Sequence, residues 1–373
     1  MRKKNKKINV VSIVGTRPEI IRLSRIFSLL EKYCDHTLIH TGQNYDYELN
    51  QIFFKDLGIR KPDFFLNSKS KDNIYTISKI FTKFNDLCKR IKPDAVVILG
   101  DTNSSLAAIV AHKKKIPIFH IEAGNRCFNR DTPEELNRKL VDHISDINLT
   151  YTKIAKDYLV NEGILPDKII NVGSPMLEIL KYFENKINKS TILDKLNLVE
   201  NKYILVSLHR EENVDNKDNL LNFISTLKKI SKKYNKRIVF STHLRTEKNL
   251  KRFKIKKTKS INFLKPFSFT DYSKLEKNSF ITLSDSGTIV EESSILGFNA
   301  LNLRDNTERL EGMSEGSVMM VGLDKKRIEF GIKVLKKDDV KLKIVTDYKV
   351  ENFSSKIPRL IVSYLDTLKK KWR

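Results

Sequence analysis

The chain has 373 residues, of which 40% are hydrophobic and 31% charged. This composition supports two domains with packed cores and excludes a largely disordered or fibrous protein. No apolar run approaches the ~20 residues of a membrane span, and the basic start lacks the small-residue cleavage site of a secretory signal. The three cysteines (Cys34, Cys88 and Cys127) form neither a disulfide pattern nor a zinc-binding pattern. We therefore expect a cytoplasmic protein without a metal.

The net charge is +25, and Lys outnumbers Arg by 52 to 18. A nucleic-acid-binding protein would concentrate this excess on one face or in a tail, with aromatic residues interleaved. Here the Lys residues are scattered among Asn and Ile, which favours compositional drift in an A/T-rich genome. A positive field would also suit a small substrate that carries phosphate. We expect neither a nucleic acid nor a membrane as partner.

Short apolar runs alternate with longer stretches of helical period along the chain. The runs are continuous in Val, Ile and Leu, which indicates strands covered on both faces and therefore parallel sheets. The first series of predicted strands covers residues 8–14, 37–40, 95–99, 116–121, 147–149 and 169–172. Predicted helices between them cover residues 18–31, 73–91, 104–112 and 134–144. The second series of strands covers residues 203–208, 237–241, 261–264, 280–284, 300–303 and 317–321.

A stretch rich in Lys and Asn, residues 180–202, separates the two series and contains no buried-strand run. We therefore predict an α/β protein with two doubly wound, Rossmann-like domains and a central cleft. The domains are expected over residues 1–180 and 181–355, followed by a C-terminal helix over 356–373. Ligands of such sheets bind at the carboxyl ends of the strands, so the residues that follow the strands are the informative ones.

The first predicted strand ends in Gly15-Thr16-Arg17-Pro18. Glycine permits a tight turn, Pro18 suits the first helical position, and Arg17 lies beside a helix N-terminus. The segment fits an anion site and equally fits a turn that only needs this shape. It is not a dinucleotide fingerprint, because the further glycines of G-x-G-x-x-G are missing.

Three acidic residues follow strands of the first series or begin the next helix. Asp101 follows one strand and would also serve as a helix cap. Glu122 ends another strand, where a buried carboxylate needs a partner or a task. Glu134 begins a helix and shares a face with Arg138, which also fits a surface salt bridge. We interpret the three carboxylates at one sheet edge as acid–base machinery.

The second series carries its own polar residues after strands. His209 would act as a proton carrier or a phosphate donor, or would only cap its strand. Ser286 and Gly287 stand at a strand–helix junction, which would present backbone N–H groups to a diphosphate. Ser286 also fits a plain helix cap. Glu292 lies where it would accept hydrogen bonds from ribose hydroxyls.

Six motifs occur in this order along the chain: G-T-R-P-E, G-D-T, H-I-E-A-G-x-R, P-E-E-x-N-R, H-R-x-E and S-D-S-G-x-x-x-E-E. Together they resemble the non-hydrolysing UDP-N-acetylglucosamine 2-epimerase family, from about residue 8 to about residue 340. The resemblance implies a cytoplasmic, homodimeric isomerase with the GT-B architecture and no cofactor.

The resemblance also assigns roles to individual residues. It places Asp101, Glu122, Glu134 and His209 in catalysis. It places the following around the UDP-sugar: Arg17, Arg138, His243, Ser286, Gly287, Thr288 and Glu292. Arg22 matches a basic position of the first motif that is commonly Lys, and Phe269 or Tyr272 falls in the segment that contacts uracil.

Two departures from the family pattern bear on the substrate. Gln43-Asn44-Tyr45-Asp46-Tyr47 stands where members often carry a Gln-His pair, so regulation by a second nucleotide sugar is in doubt. The stretch from Glu122 to Glu134 is shortened, and with T-G-Q-N-Y-D-Y-E it is similar to the subgroup that makes UDP-N-acetyl-L-fucosamine. Those enzymes epimerise C2 of UDP-2-acetamido-2,6-dideoxy-L-talose for surface polysaccharides. UDP-N-acetylglucosamine, giving UDP-N-acetylmannosamine, is the alternative substrate.

The family chemistry is elimination of UDP to a glycal, followed by re-addition with C2 protonated on the opposite face. A GT-B glycosyltransferase is the competing interpretation, because it shares the architecture and the diphosphate site. Glu122 and Glu134 favour the epimerase, since they stand where proton carriers are needed.

Overall fold

The computed structural model describes residues 7–43, 47–255, 258, 260–337 and 343–371. The chain divides into two compact units, Met1–Lys181 with Asp347–Arg373, and Tyr182–Thr346. The sequence placed residues 347–355 with the second domain and made the C-terminal helix a separate segment. In the structure residues 347–355 belong to the first unit, because their polar side chains contact residues of that unit. The Asp347 carboxylate accepts a hydrogen bond from the Lys153 amide (3.4 Å), and Glu351 forms an ion pair with Lys181 (2.5 Å).

Among the described residues, the first unit forms a seven-stranded parallel sheet with the order β3-β2-β1-β4-β5-β6-β7. Its strands are β1 Asn9–Val14, β2 Asp35–His40, β3 Phe64–Phe65, β4 Ala95–Leu99, β5 Ile118–Ala123, β6 Ile147–Thr150 and β7 Ile169–Asn171. Its helices are α1 Arg17–Tyr33, α2 Tyr47–Asp56, α3 Asn73–Ile91, α4 Ala107–Lys113, α5 Pro133–Ile144, α6 Lys153–Asn161 and α7 Met176–Tyr182. Short 3₁₀ turns cover Asn103–Leu106 and Pro166–Lys168.

The second unit forms, over the part that the structure describes, a six-stranded parallel sheet with the order β10-β9-β8-β11-β12-β13. Its strands are β8 Tyr203–Leu208, β9 Arg237–Thr242, β10 Ile261–Leu264, β11 Ile281–Ser284, β12 Ala300–Asn302 and β13 Met319–Met320. Its helices are α8 Glu184–Asn188, α9 Ile192–Lys195, α10 Glu211–Val214, α11 Lys217–Tyr234, α12 Leu244–Arg252, α13 Phe269–Lys277, α14 Ile289–Leu296, α15 Leu310–Ser314 and α16 Lys325–Lys337. After a 3₁₀ turn over Thr346–Tyr348, the chain ends in α17 Phe353–Lys371, which packs on α1 of the first unit.

The central strands of both sheets are the apolar runs seen in the sequence. Every residue of β4 is buried, as are five of the six residues of β8. Strands with both faces covered have to be apolar throughout, which is why continuous runs rather than alternation predict them. The two-residue edge strand β3 was missed because it is too short to carry a pattern.

Both sheets reverse their strand order at a central pair, β1/β4 in the first unit and β8/β11 in the second. In open α/β sheets this switch point is where loops at the carboxyl edge leave room for a ligand. The prediction of two parallel-sheet α/β domains of the GT-B type is confirmed. None of the helices in the described ranges combines the length and apolarity that crossing a membrane demands.

Candidate active site

Asp101 lies in the Gly100–Thr102 turn that directly follows β4. Its carboxylate accepts a hydrogen bond from Arg138 Nε at 2.7 Å, and its backbone carbonyl accepts one from Asn137 Nδ2 at 2.9 Å. The helix cap is supplied by Thr102 instead, whose Oγ1 accepts from the Ser104 amide at 3.2 Å. Asp101 is therefore an oriented, partly exposed carboxylate and not a capping residue.

Arg138 is buried, with 3% of its surface exposed. Besides Asp101 it binds Glu135, with Nη1 2.9 Å from Oε2. Burial raises the pKa of Glu135, but the Cys127 amide and the Arg138 charge outweigh it and hold the pKa below its usual value. Arg138 thus belongs to an internal ion-pair network with Asp101 and Glu135. It was predicted as a substrate-binding residue, and in this structure its guanidinium bridges the two carboxylates.

Glu122 lies at an irregularity of β5, where the pairing with β6 shifts register. Its φ is +68°, a left-handed conformation that is costly for a residue with a side chain and is typical of functional sites. The carboxylate is 3.6 Å from Arg22 Nε and accepts from Asn125 Nδ2 at 3.3 Å. A methyl group built on Gly100 would lie 3.9 Å from Glu122 Oε2, so this carboxylate lies against the turn that carries Asp101.

The other site residues predicted in the first unit are Arg17, Arg22 and Glu134. Arg22 is buried, and its guanidinium lies 5.4 Å from the ring centre of Tyr151. Arg17 begins α1, half-buried, with its guanidinium 5.5 Å from the ring centre of Phe53. Glu134 is half-buried in the first turn of α5, one helical turn before Arg138.

The N-terminus of α1 is filled by a carboxylate of its own. Glu19 Oε2 accepts from the amides of Gly15 (2.5 Å) and Thr16 (3.1 Å), and Glu19 Oε1 accepts from Thr102 Oγ1 (2.6 Å). Burial raises the pKa of Glu19 to about 7 although these hydrogen bonds lower it, and the charge of Asp101 adds to the rise. The anion at this helix end is therefore internal. Glu19 was not among the predicted residues, although threonine followed three residues later by glutamate is a capping-box pattern.

A buried charged network behind the two carboxylate turns was also missed. His120 Nε2 donates to the Gly100 carbonyl at 2.9 Å, and His120 Nδ1 is 2.9 Å from Asp142 Oδ1. Asp142 also accepts from the Gly124 amide and from Arg126 Nη1. Burial would lower the pKa of His120, but the bond to Asp142 and its charge outweigh burial and raise it. His120 and Arg126 belong to the H-I-E-A-G-x-R motif, which was the available signal.

In the second unit, His209 is oriented by a buried acid. His209 Nδ1 is 2.9 Å from Asp285 Oδ1, and the same carboxylate accepts from the amides of His209 and Arg210 and from Asn213 Nδ2. Burial raises the pKa of Asp285, but His209 and these donors prevail and leave the pKa far below its usual value. The imidazole is therefore fixed at Nδ1 and partly exposed, which suits a donor to an anion or a proton carrier.

A second histidine lies beside it. The rings of His209 and His243 have centroids 5.6 Å apart and are tilted by 48°. His243 caps α12, and its Nδ1 accepts from the Arg245 amide at 3.3 Å. The second unit thus brings together two of its predicted site residues.

The loop after β11 is organised by hydroxyl groups. The Ser286 amide donates to Ser284 Oγ (3.1 Å), and Ser286 Oγ pairs with Thr288 Oγ1 (2.9 Å). Thr288 Oγ1 in turn donates to Glu292 Oε2 at 2.9 Å. The Ser286 amide is therefore used within the loop, whereas the sequence predicted it to face a diphosphate.

Gly287 faces a buried ion pair. A methyl group built on it would lie 2.5 Å from Glu308 Oε1, and Glu308 Oε2 is 2.7 Å from Arg304 Nη2. Arg304 has a side chain only 1% exposed, so this cation is an internal partner of the loop. Neither residue was predicted.

Of the two candidates for the uracil contact, Phe269 is buried against Phe183 with ring centroids 6.0 Å apart, and Tyr272 is half-buried. Burial and the nearby charges of Glu276 and Glu292 raise the pKa of Tyr272 well above 10. Burial and the neighbouring Glu292 also raise the pKa of Glu276.

The remaining predicted features concern two loops. Gln43 is buried, but Asn44, Tyr45 and Asp46 lie outside the described residues, so the expectation about regulation stays a prediction. In the stretch that follows Glu122, the ring of Phe128 is exposed and meets that of Tyr158 edge-on, with ring centroids 5.2 Å apart.

Known proteins match this chain over most of its length. The family model for UDP-N-acetylglucosamine 2-epimerase matches residues 29–362. A UDP-N-acetylglucosamine 2-epimerase of Methanocaldococcus jannaschii is 40% identical over 333 residues, covering 87% of this chain and 91% of the relative. A UDP-2,3-diacetamido-2,3-dideoxy-D-glucuronate 2-epimerase of Pseudomonas aeruginosa is 32% identical over 320 residues, covering 84% and 88%.

Solved structures agree with these relatives. A UDP-N-acetylglucosamine 2-epimerase of Rickettsia bellii has a TM-score of 0.90 and 45% identity, with 98% of each chain covered. The M. jannaschii enzyme in complex with UDP-GlcNAc and UDP has a TM-score of 0.89 and 37% identity, with 95% of this chain and 99% of that chain covered. Since the match spans nearly the whole chain and both parallel sheets, this protein belongs to the UDP-N-acetylglucosamine 2-epimerase family and is an isomerase that epimerises a UDP-sugar at C2.

Proposed function

We propose that this enzyme converts UDP-2-acetamido-2,6-dideoxy-L-talose to UDP-N-acetyl-L-fucosamine. UDP leaves C1 while a base removes the C2 proton, which gives a glycal. UDP then adds back to C1 while C2 is protonated on the opposite face. Elimination is needed because C2 of a 2-acetamido sugar has no neighbouring carbonyl to stabilise a carbanion. The reaction is redox-neutral and consumes no co-substrate.

The proximity of the Asp101 and Glu122 carboxylates at one edge of the sheet is the observation that carries this proposal. Exchange of a proton at two faces of C2 needs more than one acid–base group. The two carboxylates lie on neighbouring turns, and each has its own cation, Arg138 for Asp101 and Arg22 for Glu122. Such partners fix the carboxylates in place, and fixed geometry is a main source of rate enhancement. We assign Glu134 to the same group.

We assign departure and return of UDP to the second unit. A leaving diphosphate needs fixed positive charge and hydrogen-bond donors. His209 is oriented by Asp285, and His243 lies beside it. The hydroxyls of Ser286 and Thr288 form a donor chain that ends on Glu292. We assign Glu292 to the ribose hydroxyls and Tyr272 to the uracil.

The choice of sugar rests on the segment that follows Glu122. A site for a 6-deoxy-L-sugar should differ from a site for UDP-N-acetylglucosamine in the residues around the sugar, and should keep the same residues around UDP. The family resemblance implies that residues 125–132 are shorter than in the plain N-acetylglucosamine enzymes, and that the diphosphate and ribose motifs match the wider family. Asn125 begins this segment and donates to Glu122 itself, so a change here reaches a catalytic carboxylate.

The test is incubation with each nucleotide sugar alone in deuterated water, followed by proton NMR. We expect the L-talo sugar to be converted with deuterium at C2, and Glu122→Gln to give no exchange. Glu31→Gln is the matched control, because Glu31 lies near the C-terminal end of α1, where it pairs with the half-buried Arg60. No C2 exchange without an added acceptor would contradict the epimerase and favour a transferase.

The names of the relatives favour a second candidate, UDP-N-acetylglucosamine going to UDP-N-acetylmannosamine. The same assay decides between the two, because kcat/KM is measured for both substrates. We expect slow or absent conversion of UDP-N-acetylglucosamine, since misplaced hydroxyls leave polar groups of the site unpaired. A comparable or higher kcat/KM on that sugar would overturn the L-talose assignment and keep the epimerase.

We also propose a homodimer. Large apolar side chains are exposed on the first unit at Ile74 and Tyr75 of α3 and at Leu136 of α5, which suits burial against a second copy. One chain has a mass of 43.4 kDa, and sedimentation at micromolar concentration should give twice that mass.

A further inference from the structure

We propose that Glu19 is a positioning residue: it braces the turn that carries Asp101 against the end of β1 and so sets the geometry for proton transfer. The inference rests on the proposed function, because it gives Glu19 a part in the reaction assigned to Asp101. Glu19 lies on α1, eighty-three residues before Thr102 in the chain.

The brace follows from the hydrogen bonds of one carboxylate. Glu19 Oε2 accepts from the amides of Gly15 and Thr16 after β1, and Glu19 Oε1 accepts from Thr102 Oγ1 after β4. Strands β1 and β4 are neighbours in the sheet, so the two turns are adjacent. One side chain with two acceptor atoms therefore joins them directly.

The other contacts of this turn indicate what the brace is for. The Gly100 carbonyl accepts from His120 of β5, and the Asp101 carboxylate accepts from Arg138 of α5. Glu19 of α1 fixes the third residue, Thr102. Three consecutive residues are thus held from three different elements, with Asp101 in the middle. Such convergence is expected where a reacting group must be held to a fraction of an ångström.

The burial of Glu19 is the second reason. Only 2% of its surface is exposed, and a carboxylate is expensive to remove from water. A helix N-terminus is capped more cheaply by a small polar residue at the surface. Glu19 does cap α1, but the same carboxylate also accepts from Thr102 in the turn after β4, which capping alone does not require. The amides of Gly15 and Thr16 are therefore used within the protein.

The test removes each end of the brace separately and together. Thr102→Val deletes the hydroxyl, Thr102→Ser keeps it, and Glu19→Ala deletes the carboxylate. We expect Glu19→Ala and Thr102→Val each to lower kcat by about 10- to 100-fold, with KM and UDP affinity within about twofold. Thr102→Ser should recover most of the kcat lost in Thr102→Val. The double variant should be no slower than Glu19→Ala, because both substitutions break the same contact.

The matched control is Glu31→Ala, at the opposite end of the same helix, which should leave kcat unchanged. A kcat within twofold of wild type for both Glu19→Ala and Thr102→Val would overturn the proposal, as would fully additive losses. Loss of UDP affinity that parallels the loss of kcat would instead make Glu19 part of the binding site. Thr102→Val keeps the test valid if Glu19→Ala folds poorly.

The wild-type assay separates this inference from the proposed function. If wild type gives no C2 exchange on either sugar, the proposed function fails. The brace is then decided by denaturant unfolding, in which Glu19→Ala and Thr102→Val should again be non-additive, and additive values would overturn it.

Discussion

The first unit presents carboxylates at its sheet edge and buries the bases that hold them, whereas the second unit presents a histidine and buries the acid that holds it. Asp101 and Glu122 are 27% and 15% exposed, while Arg138 and Arg22 behind them are buried. In the second unit His209 is partly exposed and Asp285 is fully buried. The exposed group is a carboxyl group in one unit and an imidazole in the other. This difference suits a division of work between proton transfer and an anionic leaving group.

The largest effect should come from the first unit. We expect Asp101→Asn and Glu122→Gln to abolish turnover and to leave UDP affinity within about tenfold, or about 1.4 kcal/mol. Both carboxylates belong to the unit to which we do not assign UDP. Turnover by NMR and UDP binding by titration calorimetry measure the two quantities. Near-normal turnover of either variant would remove that residue from the catalytic group.

Asp285→Asn should have the next largest effect, because the buried carboxylate that orients His209 through Nδ1 is lost. We expect kcat to fall by about 100-fold or more, in line with other histidines that lose a buried carboxylate partner. Asp215→Asn is the control, since Asp215 is a partly exposed carboxylate that binds Arg245 in the same unit. Equal losses in the two variants would contradict a specific role for the His209–Asp285 pair.

A smaller effect is expected on the pH dependence of folding stability, through the buried carboxyl group of Glu19 in the first unit. Because the pKa of Glu19 is raised from 4.5 to about 7 on folding, the folded state binds more protons than the unfolded state between these values. The contribution of Glu19 is then complete below pH 4.5 and lost as pH rises toward 7. At about 1.4 kcal/mol per pH unit, wild type should lose about 3 kcal/mol relative to Glu19→Gln over this range. Urea unfolding of both proteins at several pH values measures it, and parallel curves would contradict the raised pKa.

The smallest effect is expected on UDP affinity, from substitutions in the loop that follows β11 of the second unit. Replacing Gly287 by Val places atoms against Glu308, whose carboxylate is already held by Arg304. We expect UDP affinity to fall by about tenfold and the affinity for uridine to change less. Ser286→Ala should weaken UDP binding less than Gly287→Val does. Normal UDP binding by Gly287→Val would show that this loop does not contact the diphosphate.

The sequence predicted the strands well because a buried strand is a local property of the chain. Runs such as β4 and β8 are almost wholly apolar, and the candidate residues lie at the carboxyl ends of strands: Glu122 within the last two residues of β5, Asp101 two residues after β4 and His209 directly after β8. What it could not predict depends on distant partners. Arg138 reaches Asp101 across thirty-seven residues, and Glu19 reaches Thr102 across eighty-three. Such pairings follow only from the order of strands in the sheet.

Backbone geometry was the other property that could not be predicted from the sequence. Nothing in H-I-E-A-G-x-R indicates that its glutamate adopts a φ of +68°, because glutamate normally avoids that region. The use of the Ser286 amide within its own loop was equally hidden, since the sequence shows small residues but not which of them bond to each other.

The left-handed backbone at Glu122 bears on how this enzyme can evolve. A glycine there would relieve a conformational penalty of about 1 kcal/mol and would raise the melting temperature while removing the carboxylate to which we assign proton transfer. Selection for stability alone would therefore drive this position away from glutamate. Its presence marks a trade-off in which activity is kept at the expense of thermal resistance. A screen for thermostable variants should for that reason be coupled to an activity assay at this position.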